Sequence, residues 1–126
     1  MENKSLKALI GDDSALIRKQ LKDVLVECGC LEVFTAANGQ EAIDLYKVQK
    51  PDLIFLDIVM PVCDGIEATK AIHSIDSHAC VVIISSVGTQ VLLKNAIEAG
   101  AKDFIQKPVK KELIKSIVEK RLKGEL

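Results

Sequence analysis

Tryptophan is absent, and the aromatic residues are one tyrosine and three phenylalanines in a chain of 126 residues. So few rings leave no platform on which nucleic-acid bases could stack. No charge of one sign dominates: 17 Lys+Arg against 18 Asp+Glu give a formal net charge of −1. That balance excludes a general nucleic-acid or membrane-surface binder, each of which needs a basic excess. Long apolar runs are missing too. Leu53–Leu56 and Cys80–Ile84 fall far short of the ~20 residues of a spanning helix, and the opening Met1-Glu2-Asn3-Lys4 is too polar for a signal peptide. The four cysteines, Cys28, Cys30, Cys63 and Cys80, lack both C-x-x-C spacing and nearby ligand partners. Reduced thiols in a cytoplasmic protein are the expectation. With no linker, repeat or low-complexity tract, residues 1–126 read as a single domain.

What is present is an alternation of two periods. Short β-prone runs occur at Lys7–Ile10, Glu32–Thr35, Leu53–Leu56, Val81–Ser85 and Asp103–Gln106. Helical patterns separate them. Ile17, Leu21, Val24, Leu25 and Cys28 form one stripe. Asn38 with Glu41, and Asp64 with Glu67, have capping-box spacing. The first opens a helix with Ala42, Leu45 and Tyr46, closed by Pro51; the second opens one carrying Ile66, Ile72 and Ile75. A fourth helix is predicted over about Thr89–Ala99, with Gly100 as its left-handed terminus. The last covers roughly Lys110–Lys123 and buries Leu113, Ile117 and Val118. Five strands alternating with five helices predict an α/β fold, an open parallel sheet doubly wound by right-handed crossovers. The near-continuous apolar runs at 53–56 and 81–84 suit central strands buried on both faces.

The polar residues collect where strands end. The first strand runs into Asp12-Asp13, the third into Asp57, the fourth into Ser85-Ser86 and the fifth into Lys107-Pro108. In a parallel sheet these ends share one edge, where ligands bind. Three carboxylates in one place repel unless neutralised; Lys107 offsets one, and a hard divalent cation would offset the rest. Carboxylate oxygens suit Mg²⁺, which leaves positions for a phosphoryl oxygen. His73 and His78 belong to the third helix and the turn after it, so zinc is not expected. With Mg²⁺ present, Asp57 is the candidate nucleophile for an acyl phosphate, and Asp12 and Asp13 the metal pair.

Asp12-Asp13, Leu56-Asp57-Ile58-Val59-Met60-Pro61 with Asp64-Gly65, Ser85-Ser86, and Gly100 through Lys107-Pro108 together resemble the receiver domain of two-component response regulators. The resemblance covers roughly Leu6 to Arg121. It implies the flavodoxin-like strand order 2-1-3-4-5, and Asp57 as phosphoacceptor for the histidine of a sensor kinase or phosphotransfer protein. It also implies Mg²⁺ held by the side chains of Asp13 and Asp57, the backbone carbonyl of Val59, and Asp12 directly or through water. Ser85 and Lys107 would contact phosphoryl oxygens, and Phe104 would be the aromatic switch, turning inward as Ser85 moves. The Lys107-Pro108 bond is cis in the family.

Two departures stand out: Gly11 replaces an aliphatic residue, and Ser86 replaces an alanine. Phe104 lacks the hydroxyl of members that carry tyrosine. Val59 and Val87 flank the site, and apolar side chains cannot orient a hydrolytic water, so a long-lived phosphorylated state is expected.

The implied output is a switch that catalyses only its own phosphorylation and dephosphorylation. A downstream protein would dock on the fourth helix (Val91, Leu92, Asn95), fifth strand and last helix; a phosphatase is a further implied partner. No attached output domain, nucleic acid or membrane contact is expected, and the chain should be monomeric. Stand-alone members include chemotaxis regulators that bind the flagellar motor switch and phosphorelay intermediates; 85–108 looks more like the chemotaxis type. Enzymes fit less well. A P-loop is lacking, aspartate-nucleophile phosphohydrolases want an acid where Val59 stands, and Asp12-Asp13 would repel a flavin phosphate.

Overall fold

The structure, a computed structural model, describes residues 6–29, 32–86 and 88–126. Val87 and Cys30 therefore lie outside the described residues. Strands β1 (Lys7–Gly11), β2 (Glu32–Ala36), β3 (Leu53–Asp57), β4 (Val81–Ser85) and β5 (Asp103–Gln106) alternate with helices α1 (Ala15–Glu27), α2 (Gly39–Gln49), α3 (Gly65–Ile75), α4 (Gln90–Ala99) and α5 (Lys111–Leu122). All strand pairings are parallel, in the order β2-β1-β3-β4-β5. This is the flavodoxin-like α/β arrangement that the alternation and the family resemblance predict.

Each face of the sheet has its own core. Leu9, Ile54, Leu56, Val81 and Ile83 pack with Ala42, Tyr46, Ala68, Ile72 and Ala96 from α2, α3 and α4. Ala8, Ile10, Phe55, Val82 and Ile84 pack on the other side with Leu21 and Leu25 of α1 and Ile114, Ile117 and Val118 of α5. Alternate residues of one strand thus serve opposite layers, which explains why β3 and β4 are apolar almost throughout and buried at every position.

Capping follows the sequence with one difference. Asp64 and Glu67 form a full capping box at α3. At α2, Asn38 accepts from the Glu41 N–H, but the Glu41 carboxylate takes the Ala37 N–H instead of that of Asn38. Gly100 ends α4 in the left-handed region, at φ 115.

One core assignment needs correction. Leu113 is 45% exposed and Ile114 fully buried, because α5 packs on the sheet through the stripe 114, 117 and 118, and Leu113 lies off that stripe. Ile75 is also exposed, since the buried stripe of α3 ends at Ile72 and the next inward position is the helix cap, Asp76. That aspartate accepts the Tyr46 hydroxyl at 3.0 Å, tying α2 to α3. Cys28, Cys63 and Cys80 are free thiols. Among the described residues, no helix is long and apolar enough to cross a membrane.

Candidate phosphoacceptor site

Register delivers the site. Gly11 pairs with Leu56, so Asp12 and Asp57 leave adjacent strands side by side. Asp57 pairs with Ile84 and Ser85 with Gln106, which brings Ser85 and then Lys107 to the same edge. The Lys107 N–H donates to the Ser85 carbonyl at 2.8 Å, and the Lys107-Pro108 bond is cis.

Carboxylate oxygens of Asp12, Asp13 and Asp57 lie within 4.8 Å of one another. Asp12 and Asp57 are buried and Asp13 is exposed, so the cluster has one open side. Lys107 Nζ sits 3.1 Å from Asp12 Oδ2 and 3.5 Å from Asp57 Oδ1. Burial, then the charge of Asp12, pushes the Asp57 carboxyl above the usual carboxylate range, while Lys107 pulls it back. One ammonium among three carboxylates leaves a net deficit of positive charge. The donor set is all hard oxygen with an accessible flank, which fits Mg²⁺.

The surrounding loops are fixed by close backbone contacts. A Cβ on Gly65 would fall 2.2 Å from the Asp57 carbonyl oxygen, and the Gly65 N–H donates to the Ile58 carbonyl at 2.9 Å. Glycine there lets the loop from Asp57 to α3 fold back on its own start. At Gly11, a Cβ would meet Leu56 Cδ2 at 2.7 Å, so Leu56 fills the space that an aliphatic residue would otherwise take. Ser85 is buried at the end of β4, Ser86 is exposed, and Val59 is 64% exposed beside the acids in sequence. Phe104 is half-buried against the α2–α4 core.

Ser14 serves two purposes. Its N–H donates to Asp12 Oδ1 at 2.9 Å while its hydroxyl caps α1, so one residue both starts the helix and holds an acid of the cluster. Arg18 escaped the sequence reading. Its guanidinium donates to the Asp12 carbonyl at 2.6 Å. The signal was there: a cation one turn after an N-cap, on a helix whose side chains lean toward its N-terminus.

The pattern described as "Response regulator receiver domain" matches residues 8–119. The chain belongs to the response regulator receiver domain family. This receiver domain is 43% identical to the chemotaxis protein CheY of Bacillus subtilis over 116 residues, 92% of this chain and 97% of that protein. It is 45% identical to Thermotoga maritima CheY over 102 residues, covering 81% and 85% of the two. It also superimposes on CheY of Borrelia burgdorferi, solved as a CheX–CheY–BeF₃–Mg²⁺ complex, with a TM-score of 0.83, 36% identity, and coverage of 94% and 87%. These relatives mark the receiver domain as CheY-like. Such domains bind Mg²⁺ at an acidic pocket and act as phosphorylation switches, not conventional enzymes.

Proposed function

We propose that this receiver domain is a stand-alone response regulator whose Asp57 accepts a phosphoryl group from the histidine of a sensor kinase or phosphotransfer protein. The observation that carries this reading is the three-carboxylate cluster bridged by Lys107 at the C-terminal edge of the sheet. An Asp57 carboxylate oxygen attacks phosphorus, the O–P bond forms, and the N–P bond breaks with its electron pair going to the donor imidazole. Asp13 and Asp57 through their side chains, Val59 through its carbonyl and Asp12 directly or through water would hold Mg²⁺. Bound there, it supplies positive charge to the phosphoryl oxygens. Lys107 exchanges its contact with the acids for one with the transferred group, and the buried Ser85 hydroxyl supplies a second donor.

Phe104 links the site to the output surface by packing alone, and the partner docks where Val91, Leu92 and Asn95 of α4 adjoin β5 and α5. Val91 is 68% exposed, an apolar residue available for that contact. Likeness to chemotaxis proteins across nearly their whole length favours a chemotaxis target over a phosphorelay, in a monomeric, cytoplasmic protein. Val59 offers no hydrogen bond to a hydrolytic water, so the phosphorylated state is long-lived. Val59→Asn should speed its decay in a time course of intact mass, and an unchanged half-life would remove that part of the reading.

Incubation with Mg²⁺ and acetyl phosphate tests the whole. Intact mass should show one labile phosphoryl adduct on the wild type and none on Asp57→Asn. Steady turnover of phosphate esters would point to an enzyme, and no adduct to an interaction module that no longer takes phosphate.

A further inference from the structure

We propose that Arg18 is a positioning residue that fixes the peptide joining Asp12 to Asp13 and so pre-forms the metal pocket. The inference rests on the Mg²⁺ reading of the site above. Asp12 is held at four points. Its N–H donates to the Ala36 carbonyl at 3.1 Å. Its Oδ1 accepts from the Ser14 N–H at 2.9 Å, and its Oδ2 from Lys107 Nζ at 3.1 Å. Its carbonyl oxygen accepts from Arg18 Nη1 at 2.6 Å. The first three hold the strand end and the carboxylate; the guanidinium acts on the carbonyl.

That carbonyl lies in the same plane as the Asp13 N–H, because the peptide unit is planar. Arg18 therefore sets the angle between a buried, pinned acid and the next one. Asp13 is exposed, and among the described residues its carboxylate makes no hydrogen bond or ion pair with protein. Within that set only its backbone aims it. Mg²⁺ demands near-ideal octahedral geometry at about 2.0–2.1 Å, so a swinging peptide costs affinity directly. Partners that orient ligands in this way typically change metal affinity by about 10–100-fold. Arg18 is half-buried, and the group its guanidinium meets is the Asp12 carbonyl and not a carboxylate, so the route tested is the hydrogen bond.

Mg²⁺ binding by isothermal calorimetry, at low salt and in 0.5 M KCl (a Debye length of only a few Å), separates the two routes. Arg18→Ala should weaken Mg²⁺ about tenfold, with the loss persisting at high salt. Arg18→Lys should recover part of it, since an ammonium keeps one donor. Lys19→Ala removes the neighbouring charge, which is exposed and paired with Asp23 at 3.3 Å, and should leave affinity unchanged. In phosphorylation by acetyl phosphate, Arg18→Ala should raise the half-saturating Mg²⁺ concentration while the rate at saturating Mg²⁺ stays near wild type. Arg18→Gln takes the place of Arg18→Ala should the latter melt early. Affinity within twofold of wild type, an equal loss in Lys19→Ala, or a loss that vanishes at high salt would overturn the assignment. A wild type that binds no Mg²⁺ would overturn the metal reading and this inference with it.

Discussion

Strands β3 and β5 both lead into the site, yet they are built oppositely. Every residue of β3 is buried, with Leu53, Ile54, Phe55 and Leu56 packed between helices on both faces. On the sheet margin, β5 has only Ile105 fully buried, with Phe104 half-covered and Gln106 exposed. Asp57 thus ends a strand packed on both faces, while Lys107 follows, and Phe104 belongs to, a strand covered only in part. A switch needs this division: the reacting atoms must be held in place, while the readout must have two arrangements close in energy.

Truncation should break the comparison most visibly. Phe55→Ala should cost about 3–5 kcal/mol in denaturant unfolding, whereas Phe104→Ala, losing half-buried area at an edge, should cost about 1–2 kcal/mol. Equal costs would mean that β5 is as tightly built as β3. If packing of Phe104 carries the signal, its truncation should also narrow the difference in partner affinity between phosphorylated and unphosphorylated protein.

A smaller effect tests the electrostatics of the rigid strand. The folded-state pKa of Asp57 is raised, chiefly by burial and next by Asp12. A carboxyl raised on folding favours the fold when protonated, so its penalty is absent below the ordinary carboxylate pKa, near 3.8. That penalty grows as pH rises through the folded value and is full above it. Without Mg²⁺, Asp57→Asn should therefore melt a few degrees above wild type at pH 7. The gap should close toward pH 4 and shrink when Mg²⁺ is added. A variant less stable than wild type at pH 7 would show that the Lys107 contact outweighs desolvation.

Much of this architecture was legible in the sequence because its signals are local. Apolar runs gave the strands, and Asn38, Asp64, Thr89 and Gly100 marked helix ends. The five site residues Asp12, Asp13, Asp57, Ser85 and Lys107 sit at strand termini, and parallel pairing alone gathers such termini at one edge. What escaped depends on where side chains finish in space. Leu113 and Ile114 are equally apolar, and only the rotation of α5 about its axis as it packs on the sheet decides which faces inward. Glu41 has the spacing of a capping box, but its carboxylate meets the N–H one residue earlier. Arg18 looks like any charge on an amphipathic helix until the β1–α1 turn brings the Asp12 carbonyl to it. Gly11 looks like a lost side chain until Leu56 fills the space.

The central claim, that the acid ending β3 is the phosphoacceptor, is tested most directly by locating the modification. Phosphorylated wild type should be trapped with sodium borohydride, which reduces an aspartyl phosphate to homoserine, and then digested and mapped by tandem mass spectrometry. Homoserine at position 57, with Asp12, Asp13 and Asp64 unchanged, is the predicted result. Reduction at any other acid, or an adduct that survives in Asp57→Asn, would contradict it.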